Sequence, residues 1–101
     1  MSLKKPRFLH VQSKTGRYNG FTVYFWPHDI EPDTVCFTFV RCHKNDQFCK
    51  RIAREACFHS EVEYQCKVKE FPFRVAMIDH SARYPQQHEV NRYAWLWKYF
   101  L

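Results

Sequence analysis

The chain is 101 residues long, enough to close one hydrophobic core and too short for two, so we treat residues 1–101 as a single domain. Hydrophobic residues make up 46% of the sequence and glycine only two positions, which excludes a disordered or low-complexity chain. Lys and Arg total 16 against 10 Asp and Glu, and the resulting net charge of +6 favours anionic partners.

The first half of the chain predicts three antiparallel strands. Residues 7–12 have the alternation of a short strand. Residues 13–20 concentrate polar residues and both glycines, and Asn19-Gly20 is a favoured turn pair just before the aromatic and β-branched run of residues 21–26, so we expect a hairpin bend over this stretch. Residues 34–42 resume the same chemistry after a loop, and the two runs are expected to pair as antiparallel neighbours.

An amphipathic helix is predicted next, over residues 46–58, with Asn45 or Asp46 as its N-cap. Six apolar residues at spacings of four should form a stripe that packs on the sheet. The stripe consists of Phe48, Cys49, Ile52, Ala53, Ala56 and Cys57. The opposite, polar face carries Lys50, Arg51, Arg54 and Glu55.

The second half predicts two more strands and a C-terminal helix. Residues 62–69 alternate between apolar and polar, and residues 73–78 follow Pro72 as a further strand. Residues 86–100 are aromatic enough for a strand, but Pro85 at the start favours a helix, which we prefer. The expected core consists of Phe21, Val23, Phe25, Val35, Phe37, Phe39, Phe48, Ile52, Ala56, Val62, Tyr64, Val68, Val75 and Trp97.

Together these elements predict an α+β fold. A mostly antiparallel sheet of four to five strands carries one central helix packed on it, and the C-terminal helix closes the core. Residues 1–6 are expected to be a loose basic lead-in.

One segment, residues 42–54 (CHKNDQFCKRIAR), follows the aromatic hairpin with a distinctive pattern. It resembles small proteins of undefined function encoded by bacteriophages and prophages, which combine a hairpin, Lys-(x)-Asp-x-Phe-x-Lys and then a small residue beside Arg. The resemblance covers residues 18–57, and the chain departs from it with Ala53 where glycine is expected. It implies a viral accessory protein. Capping by Asp46 and anchoring by Phe48 would explain the same residues without any family relationship.

Clustered cations provide the main functional hypothesis, because a phosphate backbone would be attracted to them. The candidate nucleic-acid-binding residues are Arg41, His43, Lys44, Lys50, Arg51 and Arg54. The rings of Tyr24, Trp26, Phe37 and Phe39 could stack on bases of DNA or RNA from a sheet face. The alternative is that the cations only form the solvent-exposed face of a helix and that the aromatic residues of the strands fill the core.

The C-terminal aromatic residues support a second hypothesis. They are Trp95, Trp97, Tyr99 and Phe100. These rings either fill the core or form a protein interface, with a host protein or another copy of the chain as partner.

Metal, cofactor and catalytic signatures are not found. The five cysteines and six histidines include no C-x₂-C pair, so the cysteines are interpreted as structural thiols. No P-loop, G-x-S-x-G, H-E-x-x-H or dinucleotide-binding fingerprint occurs, and we expect neither a cofactor nor an enzyme. The odd cysteine count and the polar, basic start of the chain predict a cytoplasmic protein, in the host cytoplasm if it is viral, with no membrane partner.

Overall fold

The computed structural model describes residues 5–12, 18–43, 46–80 and 84–100. The strands are β1 (Arg7–Gln12), β2 (Tyr18–Pro27), β3 (Thr34–His43) and β4 (Tyr64–Lys67). The helices are α1 (Lys50–Phe58), α2 (Phe71–Asp79) and α3 (Gln87–Asn91), with 3₁₀ segments at Val68–Glu70 and Ala94–Tyr99. The four strands form one antiparallel sheet in the order β1-β2-β3-β4, so the predicted α+β fold is confirmed.

Alternation along the strands divides the sheet into two faces. One face, here called the core face, is covered by α2 and by the chain that follows it. Its buried side chains are Leu9, Phe21, Val23, Phe25, Val35, Phe37 and Cys66. The opposite face, called the outer face, lies under α1 and carries Phe8, His10, Thr22, Tyr24, Trp26, Thr38 and Val40.

β1 and β2 pair as antiparallel neighbours on either side of the predicted hairpin bend, but Asn19 and Gly20 lie within β2. The pairing of β2 with β3 is irregular there, and residues 13–17 lie outside the described part of the chain. A Cβ on Gly20 would come within 2.5 Å of the carbonyl oxygen of Val11 and 2.8 Å of the Phe48 ring. Position 20 therefore requires glycine, because any Cβ there would clash with the backbone of β1 and with the Phe48 ring.

The predicted strand over residues 73–78 is wrong, because these residues belong to α2. Pro72 stands in the first turn of this helix, where its missing N–H leaves no bond unmade. Six of the nine residues of α2 are buried. A helix covered on most sides loses the 3.6-residue apolar period by which helices are recognised in a sequence.

The other element boundaries shift as well. The helix predicted from residue 46 begins at Lys50. Its N-cap is Cys49, whose side chain makes no capping hydrogen bond. Asn45, one of the two predicted N-caps, lies outside the described residues. The strand predicted over 62–69 is confined to β4. The C-terminal segment is helical, as preferred, but it divides into α3 and the 3₁₀ segment.

The predicted apolar stripe of α1 does not pack as a unit. Only Cys57 is buried, while Ile52 is 66% exposed and Ala56 is also exposed. Two further core predictions are wrong, because Val62 is 53% and Trp97 is 37% exposed. Among the described residues, no helix is long and apolar enough to cross a membrane.

Candidate nucleic-acid interface

Arg41 does not belong to the cation cluster in which the sequence placed it. It pairs with Phe21 in the sheet register and so lies on the core face, across the sheet from α1. Its guanidinium donates from Nε and Nη2 to the carbonyl oxygen of Ile78, at 3.3 and 3.2 Å, and stacks over the rings of Tyr18 and Phe39. Arg41 therefore binds the C-terminal end of α2, where carbonyls lack helical partners.

The remaining predicted cations divide between the two exposed sides of α1. Nε of the exposed Arg51 lies 3.6 Å from Oε1 of Glu55, which is one turn further along the helix. Lys50 and Arg54 are also exposed and lie close enough to His10 to lower its pKa, together with the larger effect of partial burial. His43 is exposed at the end of β3, and Lys44 lies outside the described residues.

Beside Lys50 and Arg54 runs a row of rings on the outer face, called here the outer aromatic row. It consists of Phe8, Tyr24, Trp26 and Phe58. Phe8 and Tyr24 are stacked at 4.6 Å between centroids, and Trp26 continues the row 5.1 Å from Tyr24. Phe58, at the end of α1, meets Phe8 and Tyr24 edge-on and is 61% exposed. The first three rings are half-buried, so each offers part of its surface to a ligand.

The rings predicted for this role in β3 lie elsewhere. Phe37 is 1% exposed in the core. Phe39, also on the core face, is half-buried and stacks on Tyr64. The register explains the difference, because residues 37 and 39 point away from Tyr24 and Trp26.

Charge varies along the outer face. Lys50 and Arg54 lie at the end of the face near His10. At the other end, near Trp26, burial raises the pKa of the Cys36 thiol, and the nearby carboxylates of Glu63 and Asp29 raise it further. The outer aromatic row thus runs from a cationic end to an anionic end.

A groove of about 740 Å³ separates α1 from the outer side of β3. Its apolar lining is provided by Val40, Phe48, Ile52, Ala53 and Ala56, and the buried Thr22 also lines it. Cys42, Cys49 and Asp46 also line it. Burial and the neighbouring Asp46 raise the pKa of the Cys42 thiol, which keeps it protonated and poorly nucleophilic at neutral pH. Ile52 lines this groove and is 66% exposed.

The C-terminal aromatic residues divide into two pairs. Trp95 and Trp97 are 43% and 37% exposed. Tyr99 and Phe100 pack against Phe25, at 6.1 and 6.4 Å between ring centroids. Trp95 and Trp97 are therefore the exposed members of the predicted protein interface, and Tyr99 and Phe100 are half-buried.

A buried polar cluster joins α2 to the C-terminal segment, and the sequence did not predict it. The hydroxyl of Tyr93 donates to Asp79 Oδ2 at 2.8 Å, and His80 Nε2 lies 2.9 Å from Glu89 Oε2. Glu89 also accepts from the backbone N–H of Gln86 at 2.7 Å in a capping box. Burial and the bond to Asp79 raise the pKa of Tyr93. The pairing of Gln86 with Glu89 three residues on was the signal that could have indicated this helix start.

The described residues contain no group of three His, Cys, Asp or Glu side chains arranged to hold a metal ion. Compared with known proteins, the chain matches no family model, no curated protein and no solved structure. Its function therefore has to be inferred from the side chains themselves.

Proposed function

We propose that this protein binds single-stranded nucleic acid on its outer face. The observation that carries the proposal is the outer aromatic row, in which Phe8 stacks 5.9 Å from His10, the ring whose pKa Lys50 and Arg54 lower. Sequence-tolerant single-strand binders combine cations that follow the backbone with rings on which bases stack. A role as a viral accessory protein, implied by the motif in residues 42–54, is compatible with this activity.

Single strands fit better than a duplex because the rings stand on a sheet face. A base can stack on Tyr24 or Phe58 only when it is not already stacked inside a helix of paired bases. The cations at the His10 end would hold phosphates, and the carboxylates at the Trp26 end would repel them. The strand is therefore expected to enter with its backbone near Arg54 and its bases over the rings.

The direct test is fluorescence anisotropy with a labelled oligothymidylate of about ten nucleotides, a length within the site sizes of such surfaces. Two phosphate contacts to a single strand predict an affinity that falls about sevenfold between roughly 50 and 200 mM salt. The same sequence as a duplex should bind more weakly. No binding at the lower salt concentration, or an affinity indifferent to salt, would refute the proposal.

A ring variant separates stacking from charge. Phe58→Ala removes an exposed ring without changing any charge, and loss of one stacked base should weaken binding at least about fivefold. Ile30→Ala is the matched control, since Ile30 is 82% exposed in the loop between β2 and β3. Equal affinities for the two variants would remove the outer aromatic row from the site.

A second candidate function, self-association, is favoured by the exposure of Trp95 and Trp97. Tryptophan contributes strongly at the centres of protein interfaces. Light scattering over a concentration series should show a dimer that is lost in the double variant Trp95→Ala, Trp97→Ala. A wild-type protein that stays monomeric throughout the series would exclude this function.

A further inference from the structure

β1 is an edge strand with one side open. The sheet order places only β2 beside it, and no backbone hydrogen bond of the described residues reaches its other side. An edge strand of this kind presents a row of unpaired N–H and C=O groups, to which an extended chain can add as a further strand.

Cations stand next to this edge on both faces of the sheet. On the outer face, the rings of Phe48, just before α1, and Phe58, at its end, lie 6.3 Å from His10 and 5.6 Å from Phe8 between centroids, and Lys50 and Arg54 of this helix lower the pKa of His10. On the core face, the guanidinium of Arg7 lies 4.5 Å above the ring of Tyr99, and Lys98 Nζ lies 5.4 Å from the same ring. A strand added to β1 would therefore lie between positive charges.

An exposed ring, Trp95, and a half-buried one, Tyr99, lie on the core-face side of the same edge. Trp95 meets Tyr99 at 6.1 Å between centroids and is 43% exposed. Because the residues of a strand alternate between faces, an added strand would turn every second side chain towards Trp95 and Tyr99. The remaining side chains would turn towards Lys50 and Arg54.

We propose that the free edge of β1 binds an extended segment of a partner protein in which acidic and apolar residues alternate. The acidic residues pair with Lys50 and Arg54, and the apolar residues cover Trp95. A second copy of the chain fits less well, since each copy has a net charge of +6 and would bring its own cations to the shared edge instead of acidic residues. The inference does not depend on nucleic-acid binding.

The test uses the full chain and a synthetic peptide of alternating Glu and Val, followed by hydrogen exchange at the β1 amides. Backbone bonds to the peptide should slow exchange at alternate amides of β1 by at least about tenfold, because these amides gain acceptors. Tryptophan fluorescence should change on binding, and the change should be reduced in Trp95→Ala.

Two control peptides test separately whether binding requires backbone hydrogen bonds and whether it requires negative charge. A Glu-Val peptide N-methylated at alternate residues keeps its charge but loses donors, and it should give no protection of β1. A peptide of alternating Lys and Val should not bind. If the N-methylated peptide binds as tightly as its parent, or if β1 is not protected, the edge is not the site. Protection of β1 that depends on protein concentration without peptide would show that a second copy occupies the edge instead.

Discussion

Arg41 donates two hydrogen bonds to the backbone carbonyl of Ile78 and thereby joins the end of β3 to the end of α2. The two residues are 37 positions apart in the sequence. Arg41, one of the six predicted nucleic-acid-binding residues, thus makes a contact that holds two elements of the fold together.

Replacing Arg41 by Ala should therefore destabilise the fold and spare nucleic-acid binding. Loss of the charged hydrogen bonds should lower the free energy of unfolding by about 2 kcal/mol, measured by urea denaturation. Arg51→Ala is the control, because its exposed pair with Glu55 contributes less than about 0.5 kcal/mol. If Arg41→Ala weakens oligonucleotide binding while stability is unchanged, the assignment of Arg41 as structural is wrong.

Lys50 and Arg54 should determine the salt dependence of binding. Substituting either by Ala removes one phosphate contact, and the slope of log affinity against log salt should fall by about 0.7. Arg51→Ala should leave the slope unchanged, since Arg51 faces Glu55. The measurement is an anisotropy titration at several salt concentrations, with circular dichroism to show that each variant is folded. Equal effects of all three substitutions would indicate attraction to net charge alone.

Ile52 should matter little for stability, although its spacing predicted a core position. It is 66% exposed, so Ile52→Ala should lower the free energy of unfolding by less than about 0.5 kcal/mol. Val75→Ala is the matched truncation in α2, where Val75 is fully buried, and it should cost about 2 kcal/mol. Similar melting temperatures for the two variants would contradict the packing of α1 described above.

Alkaline pH should destabilise the protein through its buried thiols. Burial raises the pKa of Cys66 to about 12 and that of Cys57 to about 11, from an ordinary value of 9.0. The stability that these thiols provide is complete below pH 9, because both states are then protonated. Above pH 9 the unfolded chain loses protons that the folded chain retains, so stability falls as pH rises towards 11 and 12.

The loss can approach about 1.4 kcal/mol per pH unit for each thiol. Urea denaturation under reducing conditions at pH 8, 9 and 10 measures it. Cys66→Val should make the dependence shallower, whereas Cys49→Ala, at an exposed position, should not. A wild-type stability that is constant up to pH 10 would show that the thiols are less buried than described.

The strands were the most predictable part of the fold. β1 has the bounds that its alternation indicated, and the aromatic runs of β2 and β3 pair as expected. Strand chemistry is local, so β-branched and aromatic residues in short runs identify it. α2 was missed because tertiary burial on most of its sides hid the helical period.

The candidate site was predictable only in part. Tyr24 and Trp26 share the outer face, and Lys50 and Arg54 lie at the His10 end of that face. The face on which Arg41 lies follows from the alternation of strand residues. Arg41 points to the same face as Phe39, whereas Thr38 and Val40 point to the other face. That Phe8 and Phe58 belong to the outer aromatic row could not be predicted from the sequence, because it depends on where α1 crosses the sheet.

The C-terminal segment reaches deep into the protein: Tyr93 is 3% and Leu96 is 1% exposed, and Phe100 lies against Phe71. A nascent chain that has emerged only as far as α2 would leave Phe25 and its neighbours without their cover. Stable folding therefore has to wait until residues 93–100 have also emerged, and a chain that terminates near Pro85 should yield a product for quality-control proteases rather than a working fragment.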